Sequence, residues 1–450
     1  MWKRTSFKGM HIPEWQGVDY KIETFPLPKK VILPMEQHHG GMCEPAVSKG
    51  EKVKTGQIIG KSDRFSVAPV HASISGTVTD ILPWPEPRGR NVLSLVIESD
   101  DKDEWIETAH PDPDFLSRKP SQLLSDLRNS GIIEIGTPAL PLHVKLAPPE
   151  RPKMYLFLVG IPVLKKVHTL IVSAIDPEPG VYVRRAVLRN FPEEILQGIQ
   201  AVRRISGVTR VVLAISENDP ISTEVLKRFD EAGVELFVAS GKYPSALEPI
   251  LIKQFMGEEI PLPDGNCRDV GVLVQDVVTV YNLLAALRDK KPHIERLVTV
   301  WGNGISKPRL FIVRIGTPVG EIISYLGGSI PGTGKVIMGG PLMGYAQYSL
   351  NVPVTKETYG IMLQAERDVH KFSPDPCFNC GACVGVCPTN LLPNELSKYC
   401  EFGRFADAER NYVFHCIECG LCAYVCPAKR PMVHLMRYGK SEINARKVSA

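Results

Sequence analysis

Two copies of one cysteine pattern lie near the end of the chain: CFNCGACVGVCPTN at residues 377–390 and CIECGLCAYVCPAK at residues 416–429. Written out, they are Cys377-x2-Cys380-x2-Cys383-x3-Cys387-Pro388 and Cys416-x2-Cys419-x2-Cys422-x3-Cys426-Pro427. That spacing suits two [4Fe–4S] clusters, with the fourth cysteine of each run ligating the other run's cluster. Short x2 gaps let a tight loop aim three thiolates at one cube, and Gly381 and Gly420 supply the backbone freedom. The x3 step then carries the fourth thiolate away. The expected ligand sets are Cys377, Cys380, Cys383 and Cys426 for cluster one, and Cys416, Cys419, Cys422 and Cys387 for cluster two. Zinc also uses Cys-x2-Cys pairs, but a repeat of this form ending twice in Cys-Pro suits it poorly. The chemistry is one-electron relay between two neighbouring cubes.

Eight of the eleven cysteines are thereby used. Cys43, Cys267 and Cys400 are scattered and read as buried or half-buried thiols. Clustered cysteines with no even framework argue for metal ligation over disulfides. The net charge of +4 is too small to argue for nucleic acid. No run of about eighteen apolar residues is present, so no direct membrane span is expected. The opening MWKRTSFKGMHIPEW lacks an apolar stretch, so no secretory signal is expected.

What positions the cysteines is a chain of 450 residues, too long for one core. ELSKYCEFGRFADAERN, between the two runs, reads as helical. Residues 45–81 alternate β-branched runs with Gly50, Gly56, Gly60 and Gly76, a small all-β pattern. Its glycine spacing from Val47 resembles the barrel-sandwich fold of lipoyl and biotinyl carriers. The tip that would carry a modified lysine is SDRF, residues 62–65, so a structural module is expected, not a swinging arm. His38 and His39 are adjacent, point to opposite sides of an extended chain, and read as ordinary histidines. From about residue 120, apolar strands alternate with amphipathic helices, the pattern of a parallel sheet covered by helices. A further α+β unit is expected from DVGVLVQDVV through KVIMGGPLMG.

In this order the pieces resemble the C subunit of the Rnf electron-transport complex. The likeness is carried by HIPEWQGVDYKIETFPLPKKVILPMEQHHGG, APVHASISGTV, LPLHVKL, RIGTPVGEIISYLGG, KVIMGGPLMG and RPMVHLMRYGKSEI, across nearly the whole chain. The resemblance implies a multidomain α/β plus α+β fold. Residues 1–105 would hold the barrel-sandwich module. Residues 115–262 would form an α/β domain like the FMN- and NADH-binding subunit of respiratory complex I. A β-grasp, soluble-ligand-binding region would follow at 263–358, and a two-[4Fe–4S] ferredoxin-like domain at 365–450. It implies a peripheral subunit on the cytoplasmic face of the cell membrane, partnered by the other Rnf-type membrane subunits and by ferredoxin or a ferredoxin-like subunit. The family couples electron flow between ferredoxin and NAD to ion translocation.

Three elements depart from the family. Its flavin loop has the form G-x-G-G-A-x-F-P; here GIIEIGTPALP keeps Gly136 but places Thr137, Pro138 and Leu140 where glycine, alanine and phenylalanine are expected. A glycine-rich loop lets backbone approach a phosphate closely, and proline removes a donor. The second element, N-x-x-E-x-E-P, reads SAIDPEP, with Ser173, Asp176 and Pro177 as changes and Glu178 kept. The third, Q-N-x-x-T, begins Gln275-Asp276 and keeps Thr279, which puts a carboxylate where a flavin phosphate would lie. Lys145 also matches. PGTGK at 331–335 lacks the glycine and hydroxyl of a P-loop. FMN and NADH binding are therefore expected to be lost or altered, and no residue is assigned to them. The main expectation is an electron-relay subunit whose NADH end is absent or replaced, with a cytochrome as one candidate carrier. The alternatives are an ordinary NADH-oxidising, FMN-containing subunit and a soluble adaptor docked on a cytoplasmic reductase. Lys429, Arg430, Arg437 and Lys440 are candidates for attracting an acidic ferredoxin, with a plain solvated face as the alternative.

Overall fold

Alternation of apolar and polar residues between Lys30 and Ser99 produces two small antiparallel sheets. One orders Lys30–Pro34, Asn91–Ser99, Gly76–Pro85 and Lys52–Val53; the other orders Glu44–Pro45, Ile58–Lys61 and Val70–His71. The computed structural model describes residues 6–15, 17–107, 111–135, 139–147, 166–219, 221–261, 265–369, 371–373 and 375–449. The inward face of the two sheets, including Val31, Leu33, Ile59, Ile74, Val78, Leu95 and Ile97, forms one core. The SDRF tip is pinned, because Arg128 Nη2 donates to the carbonyls of Ser62, Asp63 and Arg64.

The second unit is a parallel sheet in the order Glu235–Ala239, Arg210–Ser216, Thr169–Ser173, Val272–Asp276. Its central strands are continuous apolar runs because helices cover both faces. Pro192 opens the helix Pro192–Ser206 and Gly207, in the left-handed region at φ 72°, closes it. A sequence boundary at 262/263 does not match this sheet: Val272–Asp276 pairs with Thr169–Ser173, and the helix Val277–Arg288 packs on Pro192–Ser206. Residues 263–288 thus lie with the α/β unit. Periodicity marks a strand but does not say which sheet receives it.

The third unit is a six-stranded mixed sheet ordered Ile22–Thr24, Arg309–Arg314, Glu295–Trp301, Gly360–Ala365, Thr333–Met338, Tyr345–Ala346. Its inner four strands and the helix Val319–Tyr325 have β-grasp order. The outermost strand comes from the N-terminal segment, with Ile22 opposite Leu310, so part of residues 1–105 leaves the barrel module. The closing unit packs the helices Pro393–Glu401, Phe405–Arg410 and Met432–Ser449 around the cysteine runs.

The units are locked by buried side chains. Trp301, fully buried, is gripped by Gly180 and Gly360; a Cβ on either would come within 2.2 and 2.6 Å of its indole. Lys356 is buried and donates to the carbonyls of Pro69 (3.0 Å) and Gly131 (2.6 Å), tying three units together. Burial, with the nearby Lys356 charge, pushes His38 down to about 4 and His71 down to about 3, and His293 well below its ordinary value. A depressed histidine stabilises the fold above its unfolded value near 6.5, and that stabilisation is lost as pH falls through the folded value. His38 alone accounts for on the order of 3 kcal/mol across that window. The urea midpoint is therefore expected to fall between pH 6.5 and 4, with a shallower slope in His71→Asn; a flat profile would remove this account.

Candidate iron–sulfur centre and adjoining cavity

The two cysteine runs repeat one another in backbone, not only in spacing. Asn379 and Glu418 share φ 56°, Gly381 and Gly420 lie at 77° and 84°, and Asn390 and Lys429 at 56° and 49°. Left-handed backbone costs a non-glycine residue roughly 1 kcal/mol, so each repeat holds strain that the cysteine geometry demands. In each run a loop leads into a short helix, Ala382–Val386 or Leu421–Tyr424, which bears the third cysteine. The amides of Asn379 and Glu418 each donate to the preceding cysteine sulfur, at 3.4 Å to Cys377 and to Cys416.

Cys377, Cys380, Cys383 and Cys426 line one small cavity. Cys387, Cys416, Cys419 and Cys422 line a second. The fourth cysteine of each run stands with the first three of the other. Among the described residues no three His, Cys, Asp or Glu side chains are gathered as a single metal ion requires. Four thiols around a space, with amides aimed at sulfur, fit an iron–sulfur cube. Burial pushes Cys416 up to about 11 and Cys419 up to about 12. Cys43, Cys267 and Cys400 are buried and apart from both cavities.

The two cavities differ in surroundings. Cys380 and Phe378 are exposed at the first. At the second, Cys419, Cys422 and Leu421 are buried, and the Tyr243 hydroxyl donates to the Cys419 carbonyl at 2.7 Å. Gly420 lies against the Leu342 carbonyl of the β-grasp loop. The second cavity therefore sits at a junction of domains, and the first at the surface.

Beside the second lies a much larger cavity of about 670 Å³. It opens at the carboxyl ends of the parallel strands, where Ser173 and Asp276 stand, the usual place for a ligand in an open α/β sheet. Cys416, Ile417 and Glu418 form part of its wall. So do Glu134, Lys145, Arg184, Glu248 and Arg268 from the α/β unit, and Met343, Tyr345 and Tyr359 from the β-grasp unit.

Of the positions marked by the resemblance, Gly136, Thr137 and Pro138 lie outside the described residues. Leu140 pairs with Glu134 in a two-residue ladder. Lys145 is ion-paired with Glu134 at 2.7 Å and Glu248 at 2.8 Å. Burial pushes Glu134 up to about 8, while the two carboxylates hold Lys145 above its ordinary value. Asp176 accepts from the Arg184 amide and from Arg185 Nε, both at 2.7 Å. Glu178 accepts from the amides of Leu342 and Met343 and from the Tyr359 hydroxyl, so it fastens the β-grasp loop to the α/β unit. Asp276 caps its own helix, accepting from the amides of Val278 (2.9 Å) and Thr279 (3.0 Å) and from the Thr279 hydroxyl (2.8 Å). Its charge faces Arg184 at 3.9 Å. The Ser173 hydroxyl and the Gln275 amide have no partner among the described residues.

Three of the four basic candidates for a docking face are committed elsewhere. Arg430 is buried and paired with Glu401. Arg437 (2.8 Å) and Lys440 (2.7 Å) both hold Glu418, and Lys440 also donates to the Cys416 carbonyl at 2.6 Å. The two cations keep Glu418 in its strained conformation and set charge beside the second cavity. Sequence reading did not single out Glu134, although with Gly136 as the third position of the flavin loop, the first glycine falls on Glu134. Nothing in the sequence pointed to Glu248 or Tyr243.

Comparison with known proteins agrees with this division. The chain matches models for the RnfC barrel sandwich hybrid domain at residues 5–102, the Nuo51 FMN-binding domain at 127–285 and the 4Fe-4S dicluster domain at 370–427. It is 37% identical over 427 residues to the C subunit of the proton-translocating ferredoxin:NAD(+) oxidoreductase complex of Clostridium ljungdahlii, covering 94% of this chain and 90% of that one. It is 34% identical over 425 residues to the Na(+)-translocating counterpart of Acetobacterium woodii, covering 93% and 92%.

Proposed function

Because the chain belongs to the family of C subunits of Rnf-type ion-translocating oxidoreductase complexes, we propose that it is the peripheral electron-transfer subunit of such a complex and that its NADH end is lost or altered. Two [4Fe–4S] clusters supply the redox chemistry when bound, each taking or giving one electron. Cys377, Cys380, Cys383 and Cys426 would hold the surface cluster; Cys387, Cys416, Cys419 and Cys422 would hold the one at the domain junction. The observation that carries this is the exchange of the fourth cysteine between the two cavities, which sets the two sites side by side. The exposed site suits exchange with a protein carrier, a ferredoxin or ferredoxin-like subunit on one side of the path, with a cytochrome as a candidate on the other. No helix among the described residues is long and apolar enough to cross a membrane. Attachment to the cytoplasmic face would then come through the other subunits of the complex.

The donor set of the large cavity does not suit a phosphorylated flavin. Its cations already have partners: Lys145 with Glu134 and Glu248, Arg268 with the Lys145 carbonyl, Arg88 with Glu357, and Arg437 and Lys440 with Glu418. A second reading, an NADH-oxidising flavoprotein, is favoured by the size of that cavity and by its contact with Cys416. The two separate on anaerobically purified protein with its iron counted and its spectrum scanned for flavin. The relay reading expects about eight irons per chain, no flavin, and bleaching of the cluster absorbance by reduced ferredoxin but not by NADH. Bound flavin with bleaching by NADH would overturn it in favour of the second.

A further inference from the structure

A cavity of this size at the ends of a parallel sheet has two ordinary ways to attract a phosphate: a cation on its wall and the free amides of a helix N-terminus. Here carboxylates occupy Lys145 and the helix start, while Arg268 on the same wall is held by the Lys145 carbonyl. Lys145 comes from the helix Leu142–Leu146, Glu134 from the strand Ile133–Glu134 and Glu248 from the start of the helix Glu248–Met256. Three separate elements bring them together. The lysine side chain is only 13% exposed and Glu134 only 7%, so the cage is built into the wall and is not a passing surface pair. The ammonium donates to Glu248 at 2.8 Å, and Glu134 lies 2.7 Å from it as an ion pair. Two of the amides that begin the helix Val277–Arg288, those of Val278 and Thr279, are taken by Asp276. An incoming phosphate would meet Glu248 and, above about pH 8 where it is ionised, Glu134 at the first place and Asp276 at the second, in a recess where charge is poorly screened.

We propose that Glu134 and Glu248 form an internal counter-ion that occupies Lys145 in place of a ligand's phosphate, so that the cavity excludes phosphorylated flavins and dinucleotides while keeping room for an uncharged ring system. This rests on the relay reading and names the residues that enforce it. Glu134 stands at a position where the family loop has glycine, so the exclusion arises where backbone would otherwise approach the ligand.

The test titrates FMN and riboflavin separately into the holoprotein under anaerobic conditions, at a pH above 8 where Glu134 is ionised, and follows quenching of flavin fluorescence. The two ligands share a ring system and differ in the phosphate. Wild type is expected to bind FMN no more tightly than riboflavin. In Glu134→Gln/Glu248→Gln, FMN affinity is expected to rise at least about tenfold, while riboflavin affinity stays the same. Adding Lys145→Met to that double variant is expected to erase the gain. An equal rise for both flavins, or no rise for FMN in a variant that keeps its iron and its melting midpoint, overturns the inference and leaves the relay reading standing. Should the double variant fail to fold, Glu248→Gln decides alone, with a rise of about threefold expected for FMN only and no rise overturning the inference. Tight FMN binding by wild type overturns the relay reading itself.

Discussion

Replacing Cys387 with alanine is expected to remove the cluster of the second run and spare that of the first. Cys387 belongs to the first run in sequence, but it lines the cavity shared by Cys416, Cys419 and Cys422. Its sulfur accepts from the Leu391 amide at 3.4 Å, which holds it there. A cube that loses one of four thiolates has no nearby substitute: Cys400, the remaining thiol of this unit, is packed against Gly439 so closely that a Cβ there would lie 2.3 Å from its sulfur. Iron should fall from about eight to about four per chain. Pairing substitutions shows which cluster went. Cys387→Ala with Cys419→Ala strikes one site and should still leave about four irons; Cys387→Ala with Cys380→Ala strikes both and should leave none. The reverse pattern would mean that each run ligates its own cluster. The Cys387 variant should also melt lower than Cys426→Ala. The cavity it empties lies at the domain junction, under Tyr243 and Leu421, while the cavity emptied by Cys426→Ala lies at the surface.

The second large effect is an asymmetry between two glycines that look equivalent in sequence. Gly381 and Gly420 occupy the same place in the two runs and both have left-handed backbone, at 77° and 84°. Alanine costs roughly 1 kcal/mol at either for that reason alone. Around Gly381 a Cβ would meet nothing within 4 Å. At Gly420 it would lie 2.6 Å from the Leu342 carbonyl oxygen and 3.0 Å from the Leu342 Cβ. That backbone cannot retreat freely, because Glu178 holds the Leu342 amide at 2.7 Å and the Met343 amide at 2.9 Å. Gly381→Ala should therefore cost about 1 kcal/mol, and Gly420→Ala more than about 3 kcal/mol, read as the difference in urea midpoint or in the half-life of the cluster absorbance in air. Equal effects would show that the contact between the cluster unit and the β-grasp loop does not hold the second site.

Some of this was legible in the residues. Eight cysteines at fixed spacing point to two cubes and to an exchange of the fourth ligand, because ligand spacing is a local property that a linear pattern records. The strands and helices of the α/β unit were equally legible, since apolar periodicity is local: VHTLIVSAI, TRVVLAIS and VELFVAS each contribute a strand to the parallel sheet. The departures of the flavin loop from the family pattern were equally visible, because residue identity is local.

Tertiary structure decided what depends on neighbours distant in sequence. Ile22–Thr24 completes a sheet nearly three hundred residues away, and Val272–Asp276 returns to the α/β sheet across the expected boundary. A three-residue strand carries too little pattern to name its partner. Arg437 and Lys440 were candidates for a docking face or a plain solvated one, but they are spent on Glu418, because charge in a sequence does not disclose its counter-ion. Lys145 matched the family and yet is caged by a residue that sequence reading passed over and by another from a helix about one hundred residues on. The cysteines and their spacing determine that electrons pass through this chain. Which cysteine site is exposed and which adjoins the large cavity are set by packing between units, where a side chain's role is defined by what reaches it.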